Sequence, residues 1–197
     1  EISPYVNEWD EAETFPRELY QKAASVGLLG LGFDAEHGGI PDADAFYVML
    51  AAIEMAKAAS GGVHISLMIH SIGTPPIHHF AQPGIRDQVI PQIIAGEKIS
   101  ALAITEPSGG SDVAAIKTKA VREGDYYILN GDKTFITSGI RADYYTVAVK
   151  TDPHAKGAKG ISMLLVDAHS DGISKSPLKK MGWWASDTAH LHFDNVK

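Results

Sequence analysis

The sequence predicts an α+β protein: an all-α N-terminal helical domain over residues 1–98, followed by an antiparallel β-barrel or sandwich domain over residues 99–197. The hydrophobic period carries this reading. Apolar residues recur every three to four positions in the first half, as on one face of a helix, and every second position in the second half, as on one face of a strand. Asn130-Gly131, set between Tyr126-Tyr127-Ile128-Leu129 and Lys133-Thr134-Phe135-Ile136, adds a strong type I′ hairpin signal.

In order along the chain, Ile2, Val6, Trp9, Phe15, Leu19, Ala23 and Val26 predict one amphipathic helix that ends at Gly27-Leu28-Leu29-Gly30, with Gly27 as a left-handed cap. Residues 34–41, with Gly38-Gly39, read as a loop. Asp42 or Asp44 caps a second helix reaching Ala59, its inward face formed by Phe46, Leu50, Ile53 and Met55. Gly61-Gly62 breaks it. Residues 63–80 form a third helix bent near Pro75-Pro76, and residues 85–95 a fourth, capped by Gly96. Strands are expected over residues 100–105, 117–122, 126–130, 133–137, 144–150, 161–167 and 188–194, a spacing typical of a closed antiparallel sheet.

Composition narrows the function. The chain has 197 residues, 45% of them hydrophobic, enough for one large or two small packed units. A net charge of -7 argues against a nucleic-acid partner recruited by bulk charge. The absence of cysteine removes disulfides, thiolate metal sites and a cysteine nucleophile. No apolar run approaches the roughly 20 residues of a membrane-spanning helix. No signal peptide is read at the start, and both ends read as cut within a longer sequence.

Residues 102–112, Leu-Ala-Ile-Thr-Glu-Pro-Ser-Gly-Gly-Ser-Asp, carry the most chemistry. A buried strand delivers Thr105 to a side-chain-poor turn, where free N–H groups and hydroxyls can hold a flat polar or anionic group. Thr137 ends another strand in the same way, and Phe135 can cover a ring face. Alternatively, both threonines simply close turns, and Gly109-Gly110-Ser111 is a plain turn rather than a phosphate nest. Glu106 and Asp112 could form an acid–base pair; the stronger reading has Asp112 closing the turn and Glu106 paired with a base. The nine histidines include no H-E-x-x-H, and no metal site is expected. The loop around Lys156 and Lys159 could close on a phosphorylated ligand or be a solvated hairpin tip. Ile65, Met68, Ile69 and Ile72 read first as core, with Met68 also suited to an alkyl chain.

Three segments in this order resemble the acyl-CoA dehydrogenases: Thr105-Glu106-Pro107-Ser108-Gly109-Gly110-Ser111-Asp112, Leu129-Asn130-Gly131-Asp132-Lys133-Thr134-Phe135-Ile136-Thr137-Ser138 and Lys179-Lys180-Met181-Gly182. Gly27-Leu28-Leu29-Gly30-Leu31 with Gly38-Gly39 resembles that family's N-terminal domain. The resemblance implies FAD held between a middle β-barrel and a C-terminal helical bundle. On it, Leu102, Ala103, Ile104, Thr105, Gly110, Ser111, Phe135, Ile136 and Thr137 line the flavin, with Thr105 on the pyrimidine edge and Thr137 near N5. Ser111, Ala158 and Lys159 meet the acyl-CoA, the last two near its phosphates, and Ile65, Met68, Ile69 and Ile72 face the acyl tail. The family usually carries tryptophan where this chain has Phe135. Its catalytic base is a glutamate of the C-terminal bundle, so no catalytic residue is expected here.

The implied reaction is α,β-dehydrogenation of fatty or branched-chain acyl-CoA thioesters. The implied setting is a homotetramer or dimer that passes electrons to an electron-transfer flavoprotein in the bacterial cytoplasm or mitochondrial matrix. Two alternatives stay open: an acyl-CoA oxidase or related flavin monooxygenase, and a non-catalytic flavin- or CoA-binding module. Residues 1–197 alone are expected to lack dehydrogenase activity.

Overall fold

The computed structural model describes residues 1–197. Helices fill the first half: α1 (Val6–Glu11), α2 (Glu18–Ser25), α3 (Ala45–Ala56), α4 (Gly61–Met68), α5 (His70–Gly73), α6 (Pro75–Phe80) and α7 (Pro83–Ile94). Strands fill the second: β1 (Ser100–Ala103), β2 (Lys119–Glu123), β3 (Tyr126–Thr137), β4 (Tyr144–Lys150), β5 (Ile161–Asp167), β6 (Ile173–Pro177) and β7 (Thr188–Val196).

The helical half is more broken than its periodicity suggests. The single helix expected from Ile2 to Val26 is two, because Glu13 takes a left-handed φ of 54° and Pro16 follows it. Gly27 is left-handed as expected, with φ 81°. Asp44 is the cap of α3 and accepts from the N–H groups of Phe46 (2.9 Å) and Tyr47 (3.3 Å). The inward face expected for α3 is wrong. Phe46, Leu50 and Ile53 are exposed, and of that face only Met55 packs on the core. Gly61 and Gly62 do not break a helix; they open α4 behind its cap Ser60. A Cβ on Gly62 would lie 2.9 Å from the Ser186 main-chain nitrogen, so glycine there permits close helix–sheet approach. The expected third helix is three, α4 to α6, with Pro75 in the first turn of α6.

The strands form one seven-stranded sheet in the order β1-β4-β2-β3-β7-β6, with β5 also on β4. It is mixed, not purely antiparallel, since β1 and β4 pair in parallel from Ser100 opposite Tyr144 to Ala103 opposite Val147. The expected hairpin at Asn130-Gly131 is absent. β3 runs straight through it, and the chain reverses instead at Gly124 (φ 62°), between β2 and β3. The pairing of β3 with β7 shifts register between Leu129 and Gly131, and a Cβ on Gly131 would lie 2.7 Å from Thr118 Cα. Asn-Gly here marks a bulge under a crossing chain rather than a turn. β6, not anticipated from Ile-Ser-Lys-Ser-Pro, exists as an edge strand through its pairing with β7.

One apolar core joins the two halves. Phe15, Leu19, Tyr20, Leu29, Val63 and Leu67 from the helical side meet Ala101, Tyr145, Val147, Leu191 and Phe193 from the sheet. Burial of each large side chain stabilises the fold by about 1.5–3 kcal/mol. A second cluster, Phe33, Ile77, Val89, Ile90, Ile93 and Ile94, ties α6 and α7 to the loop after α2.

Candidate functional site

The site grows from the end of β1. Thr146 Oγ1 donates to the Gly73 carbonyl at 2.9 Å, and a Cβ on Gly73 would reach Ser100 Oγ at 3.1 Å, so α5 lies directly on this part of the sheet. β1 then delivers Leu102, Ile104 and Thr105 half-buried, with Ala103 fully buried between them. Beyond Thr105 the chain closes a narrow loop, in which Glu106 and Gly109 exchange main-chain hydrogen bonds of 3.1 and 3.0 Å. Gly110 folds back against Thr105, where an added Cβ would lie 3.0 Å from Thr105 Cγ2. Gly110 and Ser111 are exposed.

Beneath the loop, Glu106 is an anchor. Its side chain is 3% exposed and its Oε1 lies 2.9 Å from Lys133 Nζ, on a lysine side chain that is fully buried. It also accepts from the N–H groups of Thr118 (2.8 Å) and Lys117 (2.7 Å). Lys133 donates in addition to the Ile104 carbonyl at 2.9 Å, which fixes the chain just beyond β1. Burial pushes the Glu106 carboxyl up, but bonds from Thr118, Lys117 and Lys133 outweigh it and hold the pKa at about 2. Burial pulls the Lys133 ammonium below its ordinary value, against the pull of Glu106. A carboxylate so bonded is a poor proton acceptor at neutral pH. The expected pairing of Glu106 with a base is therefore what the structure shows, and Lys133 is its partner.

The other wall is β3. Thr134 N–H donates to the Thr105 carbonyl at 2.8 Å, locking the two segments together. The next residue, Phe135, has φ 58° and is 70% exposed. The pairing with β7 slips between Lys133 and Ile136, so Phe135 sits on a bulge that turns its ring outward. A bulky residue held left-handed costs about 1–2 kcal/mol and survives only where its surroundings enforce it. Ile136 is buried and Thr137 half-buried. After Ser138, itself at φ 59°, Asp187 accepts from the N–H groups of Ile140 (2.7 Å) and Arg141 (3.2 Å) and secures the turn. Neither Lys133 nor Asp187 was singled out from sequence, because each acts through a partner distant along the chain.

The remaining expected residues lie on other elements. The 3-10 turn Gly157–Gly160, with Ala158 and Lys159 exposed, lies alongside Val113–Ala115, the turn that follows Ser111 and Asp112. The basic loop and the glycine loop are therefore neighbours. Asp112 closes its turn through its carbonyl, which accepts from Ala115 N–H at 3.1 Å. The row Ile65, Met68, Ile69 and Ile72 is divided by the break between α4 and α5. Ile69 is buried, Ile65 and Met68 half-buried, and Ile72 exposed. Of the four, Met68 lines a hollow with Leu31, Phe33 and Val48.

Comparison with known proteins follows the same division of the chain. Residues 1–97 match the family profile "Acyl-CoA dehydrogenase, N-terminal domain", and residues 101–196 match "Acyl-CoA dehydrogenase, middle domain". The chain is 40% identical over 200 residues to the mitochondrial long-chain specific acyl-CoA dehydrogenase of Rattus norvegicus, covering 100% of this chain and 46% of that protein. A probable acyl-CoA dehydrogenase from Mycobacterium abscessus superposes with a TM-score of 0.94 at 44% identity, over 100% of this chain and 52% of the other. A glutaryl-CoA dehydrogenase from Mycobacterium smegmatis, solved in complex with FADH2, superposes with a TM-score of 0.90 at 31% identity, over 99% of this chain and 49% of the other. The chain thus spans about half the length of the relatives it matches. By sequence along its whole length and by fold, it belongs to the acyl-CoA dehydrogenase family.

Proposed function

We propose that residues 1–197 form the flavin-holding part of an FAD-dependent acyl-CoA dehydrogenase. Leu102, Ala103, Ile104, Thr105, Gly110 and Ser111 would bound the cofactor on one side, and Phe135, Ile136 and Thr137 on the other. The observation that carries this reading is the bulge at Phe135, where a large ring is held outward in a strained conformation and bonded through Thr134 to the end of β1. Such strain is expected where a side chain serves a ligand rather than the core. The flat, side-chain-poor surface made by Gly110 beside Thr105 fits the edge of a planar polar ring.

Bound there, FAD supplies a two-electron acceptor for the hydride leaving the β-carbon of an acyl thioester. Phe135 offers a π face, and the main chain of residues 104–111 offers donors and acceptors without bulk. The neighbouring turns Val113–Ala115 and Gly157–Gly160 support a reading in which one ligand would touch Ser111, Ala158 and Lys159, with Lys159 meeting the CoA phosphates. Met68 and Ile65 would wall the acyl tail, backed by Ile69 and flanked by Ile72. Glu106 takes no proton, being held by its main-chain and lysine donors; the α-proton acceptor lies outside residues 1–197. The proposal includes an electron-transfer flavoprotein as oxidant, a dimeric or tetrameric assembly, and a site in the bacterial cytoplasm or mitochondrial matrix.

Steady-state turnover of the full-length protein with short- to long-chain acyl-CoAs, using electron-transfer flavoprotein or oxygen as acceptor, tests it. The expected result is turnover with the flavoprotein and little with oxygen. Fast oxygen-dependent turnover would make the protein an oxidase. Flavin binding without turnover on any acyl-CoA would make it a binding module.

A further inference from the structure

We propose that Asp34, His37 and His78 form a divalent-metal site, of the borderline-soft kind that Zn2+ fills, which clips the loop after residue 33 to α6. Asp34 and His37 stand three positions apart, His78 lies 41 positions beyond His37, and the sequence alone points to no metal site. The fold brings them together, with one donor atom from each within 4.8 Å of the others.

The state of His37 distinguishes this group from ordinary surface ion pairs. Its ring is almost fully buried. Nε2 lies 3.1 Å from Asp87 Oδ1, and a carboxylate can only accept, so Nε2 carries the hydrogen. In the neutral ring, Nδ1 is then the lone-pair nitrogen. It is buried, has no hydrogen-bond partner, and lies 3.9 Å from Asp34 Oδ2. Asp34 Oδ2 in turn lies 2.8 Å from His78 Nε2.

Metal–nitrogen and metal–oxygen bonds of about 2.0–2.2 Å place the donors of a tetrahedral site about 3.3–3.5 Å apart. The two separations to Asp34, 2.8 and 3.9 Å, bracket that value, and the two histidine donors lie within 4.8 Å of each other. An ion would take the position of the hydrogen between His78 and Asp34, and the proton of that ring would move to its other nitrogen. Asp87 behind His37 reproduces the carboxylate–histidine–metal arrangement that orients a ligand ring. Asp34 is half exposed, which leaves an entry path and room for a water as fourth ligand. Two imidazoles and one carboxylate suit Zn2+, with Co2+ as a spectroscopic stand-in.

The position indicates a structural role. Phe33 precedes Asp34, packs edge-on against the His78 ring at 5.2 Å, and lines the hollow that contains Met68. A bound ion would fix that wall. The inference does not depend on the flavin reading.

The test uses full-length protein stripped of metal with a chelator, then titrated with Zn2+ against a chromophoric competitor and with Co2+ by visible absorption. One Zn2+ per chain, a tetrahedral Co2+ spectrum and a raised Tm that EDTA reverses are the expected results. His37 is buried and its replacement could unfold the loop, so Asp34→Asn and His78→Gln are the working variants, with folding checked by circular dichroism. Each is expected to abolish stoichiometric binding. Asp87→Asn is expected to weaken it about 10–100-fold. Asp132→Asn, which removes the carboxylate between His190 and His192, should leave it intact. No stoichiometric Zn2+ in the parent protein, equal binding by folded Asp34→Asn and His78→Gln variants, or loss in Asp132→Asn alone would overturn the proposal.

Discussion

Glu106 and Lys133 stand 27 positions apart and meet at 2.9 Å in the interior. The sequence carried half of this: a glutamate ahead of Pro-Ser-Gly-Gly reads as a paired acid, but nothing local marks Lys133 as its partner, since a lysine in a strand ordinarily faces water. Removing one member of a buried pair leaves the other uncompensated, so Glu106→Gln is expected to destabilise the fold by about 3–5 kcal/mol in urea unfolding, with part recovered in Glu106→Gln/Lys133→Met. The pH dependence follows from the depressed carboxyl, at about 2 in the fold against an ordinary 4.5. Its contribution is fully present above pH 4.5 and is lost as the pH falls toward 2, a loss of up to about 3 kcal/mol at 1.36 kcal/mol per unit. Urea midpoints measured from pH 7 down to pH 2 should show this acid-side decline in the parent and a shallower one in Glu106→Gln. Phe135 is the second informative residue, legible as an aromatic near Thr137 but not as a left-handed one. Phe135→Gly should raise the stability of the flavin-free protein by about 1 kcal/mol through relief of φ strain, while loss of the ring weakens FAD binding by about 2–10-fold. Lower stability together with unchanged FAD affinity would show that the ring serves the fold alone.

At the scale of elements, the period of the sequence located helices and strands well and their limits less well. It could not register that Glu13 turns left-handed, or that the row of apolar residues on α3 faces outward, because periodicity reports a face without saying what covers it. Asn130-Gly131 misled for a similar reason. The same dipeptide serves a tight turn and a close crossing, and only the approach of Thr118 decides between them. Of the candidate site, the two loops were legible as glycine-rich and basic segments, but their adjacency was not, since it depends on how β4 and β5 return past the turn after Ser111. That adjacency predicts a specific kinetic effect. Lys159→Ala should raise KM for acyl-CoA about 2–5-fold, the range of an exposed charge pair, and the effect should shrink in high salt. Acyl-pantetheine thioesters, which lack the nucleotide phosphates, should be unaffected. An equal loss with both substrates would place Lys159 elsewhere in the reaction.

In the whole molecule, helices and sheet share one core, so the helical face bearing Ile65 and Met68 and the strand ends bearing Thr105 and Phe135 are held in a fixed relation. The fold presents a hollow at Met68 and a basic loop beside the turn that follows Ser111, while Glu106 is taken out of proton chemistry by Lys133. On the proposed function, residues 1–197 hold and orient, and the proton acceptor comes from elsewhere. Anaerobic stopped-flow mixing of the FAD-loaded full-length protein with saturating acyl-CoA tests it most directly. The expected result is single-turnover bleaching of the flavin band that persists in folded Glu106→Gln at a rate within a few-fold of the parent. Complete loss of bleaching in a folded, flavin-loaded Glu106→Gln, or no bleaching of the parent by any acyl-CoA, would contradict it.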